Sequence, residues 1–158
     1  MDRLARARAA VEQVTDPEIP VLTIADLGVL RDVRLQGETV EVTITPTYSG
    51  CPAMGMISVE IETALARAGF RSARVRTTLA PAWTTDWLSA AGRDKLSAYG
   101  IAPPPHTGRA ALFGAPAPAC PRCGSARTEQ ISAFGSTACK ALHRCLACRE
   151  PFDAFKCH

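Results

Sequence analysis

Two short cysteine hooks constrain this chain more than any other feature. Cys120-Pro121-Arg122-Cys123 and Cys145-Leu146-Ala147-Cys148 are separated by 21 residues. Two cysteines with two residues between them fold into a tight knuckle with both sulfurs aimed at one point. Two knuckles supply the tetrahedral four-thiolate shell that zinc prefers, with Zn–S near ~2.3 Å. Between the hooks, residues 127–134 and 137–144 read as strands joined at Gly135-Ser136. That is the pattern of a zinc ribbon, two knuckles carried on a β-hairpin. The same thiolates suit iron or an iron–sulfur cluster, and spacing does not separate these metals. A redox dithiol at Cys120 and Cys123 needs a strand before it and a helix after it. Here a proline-rich stretch precedes the pair, and Gly124-Ser125-Ala126-Arg127 follows it.

The other cysteines refine the picture. Of seven, only Cys51 lies before residue 120. An odd total, no hydrophobic export signal and paired spacing favour reduced, metal-binding thiols in the cytoplasm over a disulfide framework. Cys139, Cys157, His143 and His158 exceed the four ligands needed. Either Cys139 is a buried small hydrophobe and the terminal pair is incidental, or these residues offer a second, exchangeable metal position. His106, among prolines, reads as solvated. No stretch approaches the ~20 apolar residues of a membrane span. The arginine-bearing N-terminus faintly resembles a transit peptide, but Leu4, Ala7, Val11 and Val14 repeat at helical spacing and predict a helix.

Five of the twelve prolines fall between residues 101 and 119, which predicts a linker. It divides a domain over 1–100 from a cysteine-rich module over 120–158. The first part carries a net charge of −1 and the remainder +4, so the small positive excess sits with the cysteines. In the first domain, two prolines force a loop over residues 15–20. Residues 29–35 and 39–45 alternate as strands around Gln36-Gly37-Glu38. Met54, Ile57, Ile61, Leu65 and Ala68 form a helical stripe ending at Gly69. Residues 73–79 read as a strand, and a last helix with a threonine cap runs to about Tyr99, stopped by Gly100. The order α-β-β-α-β-α predicts an α+β domain with helices on one face of a three-stranded sheet.

Cys51 lies just before the second helix, where free amides stabilise an anion and predict a lowered thiol pKa. Such a thiolate binds iron or attacks an electrophile; the alternative is a packed structural thiol. Asp16 and Glu18 sit in the proline-fixed loop, either as metal-binding or acid–base carboxylates or, more simply, as turn caps. Asp26 reads as a turn residue. Trp83 and Trp87 read equally as partner surface or core. No Ser-His-Asp order, phosphate-cradling loop or dinucleotide fingerprint occurs, and the histidines all lie in the linker and tail, so the chain reads as a non-enzyme.

Taken together, Asp16-Pro-Glu-Ile-Pro20, Asp26-Leu-Gly28, Thr43-Ile-Thr45, Gly50-Cys51-Pro52 and Pro81-Ala-Trp83-Thr84 resemble the iron–sulfur assembly accessory domain of SufT-like proteins and cytosolic iron–sulfur targeting factors. With the tail segments around Cys120, Cys139 and Cys148, the whole chain resembles the PaaD family, small D subunits encoded with the multicomponent phenylacetyl-CoA epoxidase. The resemblance implies a non-catalytic role in maturing the metal centres of that system in phenylacetate degradation. It implies partners among the epoxidase subunits, either the iron–sulfur reductase or the di-iron oxygenase, and iron–sulfur assembly proteins. The family's reactive cysteine maps onto Cys51, and Thr47 is the nearest match to its threonine; Tyr48 departs from the family pattern. Read with the carboxylates of the proline-fixed loop, the candidate iron or iron–sulfur contacts are Cys51, Thr47, Asp16 and Glu18. Two other functions stand beside this one: a nucleic-acid-binding or regulatory ribbon, and a thiol redox enzyme acting through Cys51. The tail has too few aromatics and too sparse a basic stripe to favour nucleic acid.

Overall fold

The computed structural model describes residues 1–106, 112 and 116–156. These form two compact units, residues 1–83 and 84–158.

In the first unit, helix α1 (Arg3–Glu12) starts at Asp2, whose carboxylate accepts the Ala5 N–H at 2.7 Å. Strands β1 (Leu30–Gln36) and β2 (Thr39–Ile44) form an antiparallel hairpin. Helix α2 (Ala53–Arg67) then carries the chain to β3 (Ser72–Thr77), which pairs in parallel with β2. A parallel neighbour cannot be reached by a hairpin, and α2 is the crossover it requires. The sheet order is β1-β2-β3. Val33, Val40, Val42 and Ile44 are buried with Ile57, Ile61 and Leu65 from α2 and Ala7 and Val11 from α1. Fully burying each Ile or Leu side chain stabilises by about 1.5–3 kcal/mol.

The opposite sheet face is polar and ordered in rows: Arg34, Glu41 and Arg74 across one register, Asp32, Thr43 and Arg76 across the next. Alternation along β2 puts Glu41 on this outer face, yet it is buried there; Arg76 approaches its carboxylate at 3.5 Å.

The second unit opens with a short 3-10 turn, Thr85–Trp87, capped by Thr84, and continues into α3 (Ala90–Ala98), capped by Ser89. The threonine expected to cap α3 therefore caps the preceding turn. Four strands follow: β4 (Ile101–Ala102), β5 (Thr128–Ser132), β6 (Lys140–Cys145) and β7 (Pro151–Phe155), in the order β4-β7-β6-β5. The anticipated hairpin exists as β5 and β6, but it is half of a larger sheet. β7 pairs antiparallel with β6, and β4 pairs in parallel with β7.

The division after Trp83 falls earlier than the expected boundary at residue 100. Arg93 of α3 donates to the Thr85 carbonyl at 3.0 Å and to the Pro104 carbonyl, and Ile101–Ala102 join the ribbon sheet. The pairing of Ile101–Ala102 with Asp153–Ala154 ties the end of α3 to the cysteine-rich module, and Arg93 fastens α3 to the segments on either side of it. The first two residues of the expected linker are thus sheet; residues 107–111 and 113–115 lie outside the described residues. The loop between β5 and β6 is clipped to β7, where the Ser136 hydroxyl donates to Asp153 at 2.8 Å. Trp83 is core: it is buried, and its indole N–H donates to the Leu27 carbonyl at 2.8 Å.

Candidate metal centre and the Cys51 loop

The knuckles are built alike. In the first, Cys120 N–H donates to the Ser125 carbonyl at 2.9 Å and Gly124 N–H to the Cys120 carbonyl at 2.8 Å. In the second, Cys145 N–H donates to the Glu150 carbonyl at 3.0 Å and Arg149 N–H to the Cys145 carbonyl at 3.1 Å. These bonds fold each hook so that its sulfurs converge. The sulfurs of Cys120, Cys123, Cys145 and Cys148 all lie within 4.8 Å of one another. Cys120 and Cys148 Sγ are 3.8 Å apart, Cys123 and Cys145 Sγ 3.6 Å. A tetrahedron with metal–sulfur bonds of ~2.3 Å has sulfur–sulfur edges of about 3.8 Å. The four thiols therefore fit a tetrahedral metal such as zinc. Cys120 and Cys145 are buried, Cys148 is half-buried and Cys123 is exposed.

The thiols are already electrostatically unequal. The backbone N–H of Cys148 draws Cys145 down to about 6, against the pull of desolvation. Around Cys148 the Glu150 N–H pulls down, but desolvation and the neighbouring thiols push up by more, to about 11. One group is poised as thiolate at neutral pH while its neighbour retains its proton.

The remaining tail candidates lie apart from this cluster. Among the described residues, no group of three metal-ligating side chains includes Cys139 or His143. Cys139 is buried with its sulfur 2.9 Å from the Thr137 hydroxyl. His143 is buried and stacked on Phe152, with centroids 5.7 Å apart, and burial holds its imidazole below its ordinary pKa. Cys157 and His158 lie outside the described residues. His106 is exposed and approaches Asp86 at 3.4 Å.

Cys51 sits at the end of a turn that presents it to α2. Its N–H donates to the Tyr48 carbonyl at 3.3 Å, and Gly50 between them adopts φ +77°. A positive φ at the third turn position is what a type II turn requires, and glycine adopts it without strain. The half-buried thiol receives hydrogen bonds from the Ala53 N–H at the helix start and from the Tyr48 side chain. Its pKa is nevertheless raised, contrary to the sequence expectation. Desolvation is the largest cause, and the carboxylates of Glu18 and Asp16 add repulsion, which together outweigh the two donors. Labelling with iodoacetamide checks this: at neutral pH, peptide mapping should show Cys51 alkylated more slowly than in a free loop peptide, its rate still rising as pH passes the ordinary 9.0.

Asp16 caps the turn: its Oδ1 accepts the Glu18 N–H at 2.7 Å and the Ile19 N–H at 2.9 Å. Asp26 plays a similar part, exchanging two bonds with Thr23. Thr47 lines a cavity of about 150 Å³ with Thr45, Tyr48, Ser49, Leu79 and Trp83. The Thr45 hydroxyl, buried beside it, has no hydrogen-bond partner among the described residues. Cys51, Asp16 and Glu18 do not form a preassembled three-donor metal cluster.

Residues 4–76 match the family described as "Iron-sulfur cluster assembly protein", and residues 104–156 match "PaaD zinc beta ribbon domain". Over 150 residues the chain is 53% identical to an Escherichia coli (strain K12) protein named, provisionally, as the D subunit of 1,2-phenylacetyl-CoA epoxidase, covering 94% of this chain and 90% of that one. The chain belongs to the PaaD family. The first PaaD module is also similar to the Fe-S protein maturation auxiliary factor YitW of Bacillus subtilis (strain 168), at 36% identity over 57% of this chain and 81% of the relative. A crystal structure of a domain of unknown function, DUF59, from Bacillus anthracis superposes with a TM-score of 0.55 at 26% identity, covering 59% of this chain and 90% of that one. Among the described residues, no helix is long and apolar enough to cross a membrane.

Proposed function

We propose that this protein is a cytoplasmic, non-catalytic accessory factor that helps a phenylacetyl-CoA epoxidase acquire or keep its metal centres during aerobic phenylacetate degradation. The observation that carries this reading is the pairing of an iron–sulfur assembly match and a PaaD zinc ribbon match in one chain, with near full-length similarity to an epoxidase D subunit. In this reading Cys120, Cys123, Cys145 and Cys148 hold zinc and shape the ribbon. The Cys51 loop, with Glu18, Asp16 and Thr47 beside it, engages iron or an iron–sulfur intermediate as passing cargo.

The electrostatics around Cys51 favour a cation over an electrophile. Burial and two carboxylates make the thiolate costly by itself. A bound cation reverses the sign of each carboxylate's effect and draws the proton off the thiol. The same raised pKa weighs against a thiol redox enzyme, which needs a thiolate at rest. The partners in this reading are the iron–sulfur reductase or the di-iron oxygenase of the epoxidase.

The test is metal content. Epoxidase subunits purified from a strain lacking this protein should be present but short of iron, and regain it when the gene is restored. Full iron content and full activity in the deletion strain would overturn the proposal.

A further inference from the structure

We infer that the exposed rim of the two knuckles, marked by Arg122, Arg127 and Arg149, is a docking surface for an acidic segment of a partner protein. This rests on the accessory reading above and names the surface through which it acts.

The argument starts from the likeness of the knuckles. Each is closed by the same pair of backbone bonds, so Gly124 and Arg149 occupy equivalent positions. Both adopt left-handed backbone, at φ +77° and +69°. Glycine takes that conformation freely, whereas arginine is strained there. Arg149 is the single non-glycine residue with positive φ among those described. Its side chain makes no ion pair or hydrogen bond with the described residues, and it is exposed. The fold thus bears a strained arginine at a place where glycine serves the same turn, and the ribbon makes no use of its guanidinium. Strain retained at one residue points to a use for its side chain.

Two more cations share this rim. Arg122 lies inside the first knuckle and Arg127 just beyond it; both are exposed and without ion pairs among the described residues. The Leu146 N–H donates to the Arg127 carbonyl at 2.8 Å, which brings Arg127 against the second knuckle. Arg122 Nη2 is 3.9 Å from where a Cβ on Gly100 would sit, so its guanidinium rests beside the C-terminal end of α3. By contrast, Arg144 on the same sheet is paired with Glu129. Cys123, next to Arg122 in the chain, is the exposed member of the four-thiol cluster.

Three planar, forked donors suit carboxylates. They are too few for a phosphate backbone. Residues 121–127 and 146–150 include no aromatic on which a base would stack. An acidic protein segment fits this rim better than nucleic acid.

The experiment titrates zinc-loaded full chain with the purified reductase and oxygenase subunits, at low and high salt. The variants are Arg149→Gly alone and the triple Arg122→Gln, Arg127→Gln, Arg149→Gln. The triple variant should lose about tenfold or more in affinity for one subunit and most of the salt dependence. Arg149→Gly should bind more weakly while unfolding at a higher temperature, because the strain is relieved and one guanidinium is removed from the interface. Zinc retention against a chelator should not change in either variant. The proposal is overturned if the triple variant binds like the wild type, or if the wild type binds neither subunit. It is equally overturned if the variants lose zinc while keeping affinity, since the arginines would then serve only to balance the thiolates. Tighter binding of single-stranded DNA than of either subunit also overturns it. Iron content in the deletion strain is scored separately, so a wrong surface and a wrong accessory role give different results.

Discussion

Removing metal from the full chain is expected to unfold the ribbon sheet while the first unit stays folded. The reason is the composition of the core beside the knuckles. The buried cluster there consists of Ala102, Cys120, Cys145, Phe152 and Ala154, with Cys148 packed against it. Two of its five buried members are cysteines of the candidate metal centre, and two more are alanines. Outside this cluster, β4, β6 and β7 bury only Ile101, Ala141 and Phe155 as further apolar side chains, a small set to hold the sheet once the sulfurs are released. Structural zinc in comparable small modules contributes about 10–16 kcal/mol at neutral pH, more than such a core supplies. The first unit has its own core of Val42, Ile44, Ile57, Ile61 and Leu65, all essentially inaccessible to solvent. Hydrogen exchange reads both units in one experiment. After chelation, amides of Lys140–Cys145 and Pro151–Phe155 should exchange at nearly unfolded rates, while those of Thr39–Ile44 stay protected. Protection of β6 and β7 in demonstrably metal-free protein would show that packing alone carries the ribbon.

The same centre should respond to pH with a definite sign. Metal binding needs thiolates, so any proton still held in the metal-free site must leave on binding. Cys148, raised to about 11, holds its proton throughout the neutral range. Cys145, lowered to about 6, has already lost its proton at neutral pH. Affinity should therefore rise with pH across the neutral range. Below about 6 the fall should steepen by one further proton, as Cys145 also protonates. Competition with a colorimetric chelator at stepped pH measures that slope.

What can be read from sequence is what depends on local spacing. The Ile57, Ile61, Leu65 stripe dictates α2, and alternation of Val40, Val42 and Ile44 dictates β2, whatever surrounds them. The four thiol positions are legible because a two-residue gap leaves the chain one way to fold if both sulfurs are to meet a metal. The ribbon's outer strands are not legible. Ile101–Ala102 is too short to show a period and stands before three prolines, which argue for extended linker. Pro151–Phe155 begins with a residue that usually signals a strand's absence, although the first strand position tolerates it. Only the pairing of β7 with β6 and β4 makes sense of Phe152 and Ala154 facing inward. The acidity of Cys51 escapes a sequence reading for a related reason. The helix start is visible in sequence; the burial is not, nor the approach of Asp16 and Glu18 from a loop more than thirty residues upstream.

That convergence sets the expectation for the first unit. Replacing Cys51 with serine should leave the fold nearly unchanged and disable the protein's role. The side chain is half-buried, and its volume is almost conserved, so the stability loss should be about 1 kcal/mol or less. The ribbon centre shares no residue with Cys51, so zinc content should equal that of the wild type. A hydroxyl in place of the thiol, however, is a far poorer ligand for iron, and a soft thiolate donor is lost from the loop. Asp16 already spends Oδ1 on two backbone N–H groups. In a deletion strain carrying Cys51→Ser, iron recovered with the epoxidase subunits should fall by about tenfold or more relative to the wild-type gene. Tyr48→Phe should lie between the two, because it removes one donor to sulfur and leaves the thiol in place. Iron loading restored to wild-type level by the serine variant would locate the maturation chemistry outside this loop, and the ribbon would then be the part of the chain that matters.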